Sequence, residues 1–139
     1  MIKKLSILLA TALIIITMAS ACSKEKGIGT SSDKSFMTIS SEEAKRIMEN
    51  EENYIILDVR TEEEYKKSHI PEAINIPNEE ITIETTNKLT DKDQLILVYC
   101  RSGNRSKEAS KKLVKLGYTN VYDFGGINDW KYDIEQEPK

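Results

Sequence analysis

The chain has 139 residues, 39% hydrophobic and 31% charged, with a formal net charge of −3, which suits one globular domain. That acidic balance, with no basic arm and no cluster of stacking aromatics, argues against a nucleic-acid partner. His69 is the only histidine and Cys22 and Cys100 are the only cysteines, so no metal-ligand spacing is present and no cofactor is expected.

The first four residues include Lys3 and Lys4, residues 5–23 carry no charge, and Ala19-Ser20-Ala21 precede Cys22. A basic start, an apolar stretch and small residues form the pattern of an export signal. A cysteine directly after the small residues resembles the lipid-attachment site of bacterial lipoproteins, with Ala19 standing where that family usually has Leu. The resemblance implies a signal over residues 1–21 and a lipid on Cys22. An uncleaved helical anchor is the alternative, because 19 uncharged residues approach membrane-spanning length. Either arrangement holds the domain outside the cytoplasm on a membrane. Loss of Lys3 and Lys4 with the signal takes the net charge from −3 to −5. Residues 22–35 are rich in Lys, Gly, Ser and Thr and read as a flexible tether to a domain over 36–139.

Residues 36–39 read as a short strand. Ser40 and Glu43 form a capping-box pattern and predict a helix through Met48, with Ala44, Ile47 and Met48 on its inner face. Residues 54–59 are apolar as far as Leu57 and predict a second strand. Thr61 and Glu64 repeat the capping pattern for a short helix ending near Lys67, which Pro71 prevents from continuing. A third strand is expected over 73–77, and at most one short helix in the polar stretch 78–93. Residues 95–99 form an apolar run too short for a helix and predict a buried strand. Beyond residue 106, Ala109, Leu113 and Leu116 recur at helical spacing with Val114 beside them, while Lys107, Lys111, Lys112 and Lys115 take the other face. Glu108 stands four residues before Lys112 as a supporting ion pair, and Gly117 ends the helix in a left-handed conformation. Residues 121–124 predict a fifth strand, and Gly125-Gly126 a turn into a last helix with Trp130. Alternating strands and helices imply an α/β fold, a five-stranded mainly parallel sheet with helices on both faces.

Between the fourth strand and its helix lies Cys100-Arg101-Ser102-Gly103-Asn104-Arg105-Ser106. Cysteine is nucleophilic as its thiolate, and a helix N-terminus with nearby cations lowers its pKa. Arg101 and Arg105 both lie in this loop and no carboxylate follows until Glu108. Gly103 lets the backbone curl and aim its amides inward. Residues 36–99 hold 7 basic and 15 acidic side chains, whereas residues 100–120 hold 6 and 1, so a small anion would be drawn to the loop. If Cys22 is lipidated, Cys100 has no partner in the chain. A free thiol is unusual in an exported protein, and an inert core cysteine would not open into a polar, doubly cationic loop.

The order Leu57-Asp58-Val59-Arg60, His69-Ile70-Pro71, Ala73-Ile74-Asn75-Ile76-Pro77, the Cys100 loop, Leu116-Gly117-Tyr118 and Gly125-Gly126-Ile127 with Trp130 resembles a single rhodanese-homology domain over about residues 36–132. Ser68 and Glu72 stand where that family usually has Gly, which bears on the turn around His69. The resemblance implies a monomeric sulfurtransferase. Cys100 would take sulfur from a small anionic donor such as thiosulfate, become a persulfide, and pass the outer sulfur to a thiol or cyanide. Ser102, Gly103, Asn104 and Ser106 would line the anion site with Arg105, and Arg101 would steer the donor at the rim. Asp58 and Arg60 would support the neighbouring strand end, His69 would hold its turn, and Tyr122 and Trp130 would be core. A non-catalytic binding module or a persulfide carrier is the alternative. A cysteine phosphatase or arsenate reductase fits less well. Phosphatases place five residues between Cys and Arg, against four here, and often carry His where Tyr99 stands. A cysteine protease would need a His base, and His69 lies in an unrelated turn.

Overall fold

In the computed structural model, which describes residues 35–136, the short apolar runs become strands of one sheet. These are β1 (Met37–Thr38), β2 (Tyr54–Asp58), β3 (Ile74–Asn75), β4 (Leu95–Cys100) and β5 (Val121–Gly126). The expected signal, Cys22 and the tether as far as residue 34 lie outside the described residues. The strand order is β1-β5-β4-β2-β3, and every pairing between these strands is parallel. Helices α1 (Ser41–Asn50), α2 (Glu62–Lys67) and α3 (Asn104–Lys115) cover it.

Side chains alternate across a strand, and β4 shows the consequence. Ile96, Val98 and Cys100 share a buried cluster with Ala109 and Leu113 of α3. Leu97 and Tyr99 face the other way, toward Ala44 of α1, Phe124 and Trp130. A strand covered on both faces must be apolar throughout, which is why its sequence does not alternate. After β2 the chain moves outward to β3, whereas after β4 it moves to β5 on the opposite side. The connections therefore part at the carboxyl ends of β2 and β4, where parallel sheets leave a crevice for ligands. Asp58 and Tyr99 are register partners there, and Cys100 follows.

Local signals are realised unevenly. Thr61 and Glu64 form the full capping box of α2, at 3.3 and 3.2 Å. The expected box at α1 is half formed: Ser40 accepts from the Glu43 amide at 3.1 Å, but the Glu43 carboxylate pairs with Arg46. Helix α3 ends as expected, with Gly117 at φ 97° and the Gly117 and Tyr118 amides bonded to Val114 O and Leu113 O at 3.0 and 3.1 Å. The expected Glu108–Lys112 pair does not form. Glu108 accepts from Asn78 Nδ2 at 3.0 Å and Lys112 donates to Asn78 O at 2.6 Å, so both are spent on tying a 3₁₀ turn (Asn78–Glu80) to α3. Residues 78–93 hold that turn and a second, Thr85–Lys88, and no α-helix.

The last helix is also corrected. Gly125 and Gly126 still belong to β5, and only a 3₁₀ turn, Ile127–Asp129, follows. The Asn128 amide bonds to Arg101 O at 3.2 Å, across the sheet end instead of along a helix. Trp130 is buried against Phe124, as expected, and Tyr122 is half-buried.

The two departures from glycine differ physically. Ser68 is extended at φ −168°, which any residue adopts. Glu72 has φ +65°, the only positive φ outside glycine among the described residues. The Ala73 amide bonds to Ile70 O at 3.1 Å, so Pro71 and Glu72 occupy the centre of a turn whose third position favours Gly. Glu72 is exposed. Replacing Glu72 with Gly should therefore raise stability by about 0.5–1 kcal/mol, the left-handed strain relieved less the added chain entropy. A urea midpoint that stays put or falls would contradict this account.

Candidate active site

Strand β4 delivers Cys100 to the sheet end with the residue only 1% exposed. The chain then curls, and Gly103 at φ 97° turns it into α3. That left-handed step aims the Gly103 N–H back at Cys100 Sγ, 3.0 Å away. Ser106, in the first turn of α3, is fully buried. Its Oγ lies within reach of the Gly103 and Gly125 carbonyls, at 3.0 and 3.3 Å, and 3.7 Å from the sulfur.

Burial pushes the Cys100 thiol up, but hydrogen bonds outweigh it and leave the pKa below its ordinary value. They come from the Ser106 amide and hydroxyl and from the Ser102 and Gly103 amides. The leading lowering causes are thus amides and a hydroxyl; of the expected contributors, the helix N-terminus and inward amides, more than the two arginines, act on the thiol. Arg105 instead makes a two-pronged ion pair with Glu64, Nη1 to Oε2 at 2.7 Å and Nη2 to Oε1 at 2.9 Å. The Arg105 bond holds the Glu64 carboxyl at about 2, against the opposing effect of partial burial and with help from the Thr61 amide. Arg101, Ser102 and Asn104 are exposed on the rim. The loop therefore brings together Cys100, Gly103 and Ser106, and turns Arg105 toward α2.

Two residues that the sequence reading did not assign hold the loop in place. Gly126 pairs with Cys100 in the sheet, beside a register shift after Val98. A Cβ on Gly126 would lie 2.3 Å from Arg101 O and 2.7 Å from Ser102 Cα. The loop thus rests on bare backbone, and the Asn128 amide holds the same Arg101 oxygen. The available signal was the Gly125-Gly126 pair, which reads equally well as a turn.

Asp58 and Arg60 lie together at the next strand end. Both are buried, with Arg60 Nη2 2.6 Å from Asp58 Oδ2 and from Ser68 O. Arg60 Nε lies 3.0 Å from both Asp58 oxygens. Asn75 Nδ2 ties the carbonyls of both residues together. Breaking such a pair strands a buried charge, which costs about 3–5 kcal/mol. His69 stacks on Tyr65 at 4.0 Å and bonds to Tyr65 O and to Glu135. Its backbone also bridges Glu135, so it pins the turn to the chain's later segment.

Alkylation rate against pH should give a midpoint below that of an ordinary thiol, and the midpoint should rise when the protein is unfolded. Because the folded pKa is the lower one, the ionised thiol adds stability that is complete above the unfolded thiol's pKa. That contribution disappears as pH falls through the folded value. A folded midpoint at or above the unfolded one would contradict the cradle.

An all-parallel α/β sheet with a cradled cysteine at the end of its central strand defines a class of single-cysteine α/β domains. The chain matches the Rhodanese-like domain family over residues 40–133 and belongs to that family. The thiosulfate sulfurtransferase PspE of Escherichia coli is 38% identical over 73 residues, covering 52% of this chain and 70% of PspE. The adenylyltransferase and sulfurtransferase UBA4 of Candida albicans is 35% identical over 106 residues, covering 71% of this chain. The chain spans only about a quarter of that relative's length. A solved structure described as rhodanese with anions from E. coli superposes with a TM-score of 0.56 at 34% identity, covering 60% of this chain and 98% of that one.

Proposed function

We propose that this protein is a sulfurtransferase in which Cys100 carries a sulfane sulfur as a persulfide. The observation that supports this best is the Gly103 N–H directed at Cys100 Sγ from 3.0 Å, within a loop whose other amides also lower the thiol's pKa. With thiosulfate as donor, the Cys100 thiolate attacks the outer sulfur. A new S–S bond forms, the donor's S–S bond breaks, and sulfite leaves with the electron pair. An acceptor thiolate or cyanide then attacks the outer sulfur of the persulfide, and Cys100 departs as thiolate. The inward amides stabilise the anionic sulfur at each stage. The proposal includes a monomeric domain, carried by a lipid on Cys22 at the outer face of a membrane.

Mass spectrometry of the protein after incubation with excess thiosulfate or an organic persulfide tests the central claim. One added sulfur on Cys100, removed by cyanide, is the expected result. Hydrolysis of an aryl phosphate with no persulfide formed would favour the phosphatase class instead. For the anchor, Cys22→Ala should abolish labelling by a lipid precursor, and unchanged processing and labelling would favour the uncleaved helix.

A further inference from the structure

The charge that reaches the reacting sulfur differs from what the loop's sequence suggests. Glu64 takes both terminal nitrogens of Arg105, and the pair is roughly three-quarters buried, with side-chain exposures of 26% and 27%. The Cys100 sulfur and, more weakly, Glu79 act on Arg105 as well, both behind Glu64. Of the two loop arginines only Arg101 is exposed, with no ion pair among the described residues. Arg105 is thus neutralised by carboxylates while Arg101 stays unpaired at the rim, and the hydrogen bond that reaches the sulfur from the loop backbone comes from the Gly103 amide. Amides stabilise one developing negative charge without adding net charge to the site.

Thiosulfate brings two negative charges to a thiolate, so three must share the transition state. An organic persulfide, R–S–SH, brings none when protonated and one when ionised. We propose that Glu64 determines donor choice: its ion pair with Arg105 makes the site favour an uncharged or singly charged organic persulfide over a small dianion. This rests on the Cys100 persulfide reading above and specifies the donor for it. In the favoured step the Cys100 thiolate attacks the outer sulfur of R–S–SH. The Cys100 S–S bond forms as the donor's S–S bond breaks, and R–S⁻ leaves with the electron pair. The proton stays on the transferred sulfur until that sulfur ionises. Glu64 touches neither donor nor sulfur, so it is a positioning residue that acts through Arg105.

The test compares the protein with its Glu64→Gln variant, using thiosulfate and the persulfide of N-acetylcysteine methyl ester as donors. Gln can still accept from the Thr61 amide, so the cap of α2 is kept. KM for thiosulfate should fall about tenfold with kcat little changed, because one like charge beside a dianion is removed. For the persulfide, which carries at most one charge, kcat/KM should change less than about threefold. Rising salt should depress the variant's thiosulfate kcat/KM more steeply than the unmodified protein's, since the variant presents Arg105 as well as Arg101 without a carboxylate partner. An unchanged or higher thiosulfate KM, or an equal loss with both donors, would overturn the role of Glu64. A comparison on the unmodified protein stands even if the variant fails to fold: kcat/KM should be higher for the organic persulfide than for thiosulfate, and the reverse order would also overturn it. If Cys100 gains sulfur from both donors while these tests fail, only the donor inference falls. If Cys100 gains sulfur from neither, the sulfurtransferase reading falls with it.

Discussion

Cys100→Ser should reduce sulfur transfer to background, a loss on the order of a thousandfold or more, while the protein stays folded. Serine replaces sulfur with oxygen at nearly the same volume, and the Gly103 N–H that now meets Sγ at 3.0 Å can bond to a hydroxyl. Packing in the cluster shared with Val98 and Ala109 changes little, so the stability loss should stay within about 1–2 kcal/mol. The chemistry is lost for two separate reasons. A hydroxyl is far less acidic than a thiol, and the amides that lower a thiol's pKa cannot ionise it near neutral pH. An oxygen also cannot carry the persulfide link that the two-step transfer requires. Transfer to cyanide, far-ultraviolet circular dichroism and the urea midpoint measure these together. Turnover retained in the variant would mean that another group carries the sulfur.

What the sequence made legible is what lies within a few residues. The run 95–99 announces a strand covered on both faces, the spacing of Ala109 and Leu113 announces the helix above it, and Gly117 announces where that helix stops. Cys100, Gly103 and Ser106 are neighbours in sequence, so the cradle itself could be read. The rest depends on contacts between distant segments. Glu64 already had an explanation as the third residue of a capping box, and nothing local says that both its oxygens also meet Arg105, 41 residues on. Glu108 and Lys112 have ideal helical spacing, yet each bonds instead to the buried Asn78. Trp130 follows a plausible helix start, but the Asn128 amide is drawn to the loop carbonyl and the helix stops after one 3₁₀ turn. In the last two cases a long-range hydrogen bond stands where a local one was expected, in the first it was added to a local one, and sequence spacing reports only the local partner.

Gly126→Ala should disable the site through geometry alone, without removing any group that touches the sulfur. Its φ of −126° suits any residue, so backbone strain is not at issue. The conflict is contact: the new Cβ would fall 2.3 Å from Arg101 O and 2.7 Å from Arg101 C and Ser102 Cα. These are backbone atoms and no side chain can swing aside, so the loop itself must lift off β5. Lifting it loosens the Asn128–Arg101 bond and carries the Ser102 and Gly103 amides away from Sγ. Stability should fall by about 1–3 kcal/mol, as for overpacking elsewhere. The thiol pKa should climb toward its ordinary value as the amides withdraw and burial persists. Transfer should drop by about a hundredfold or more, since donors aimed at a developing charge lose their effect when displaced by an ångström. Gly117→Ala provides the comparison. It sits at φ 97° with open space around its Cβ position, far from the loop in the fold's logic, at the other end of α3. It should lose about 1 kcal/mol and keep both its transfer rate and its low thiol pKa. Alkylation profiles, urea midpoints and transfer rates on the two variants separate a general loss of stability from a lifted loop. Wild-type transfer with an unchanged thiol pKa in Gly126→Ala would show that the close approach of β5 does not hold the cradle.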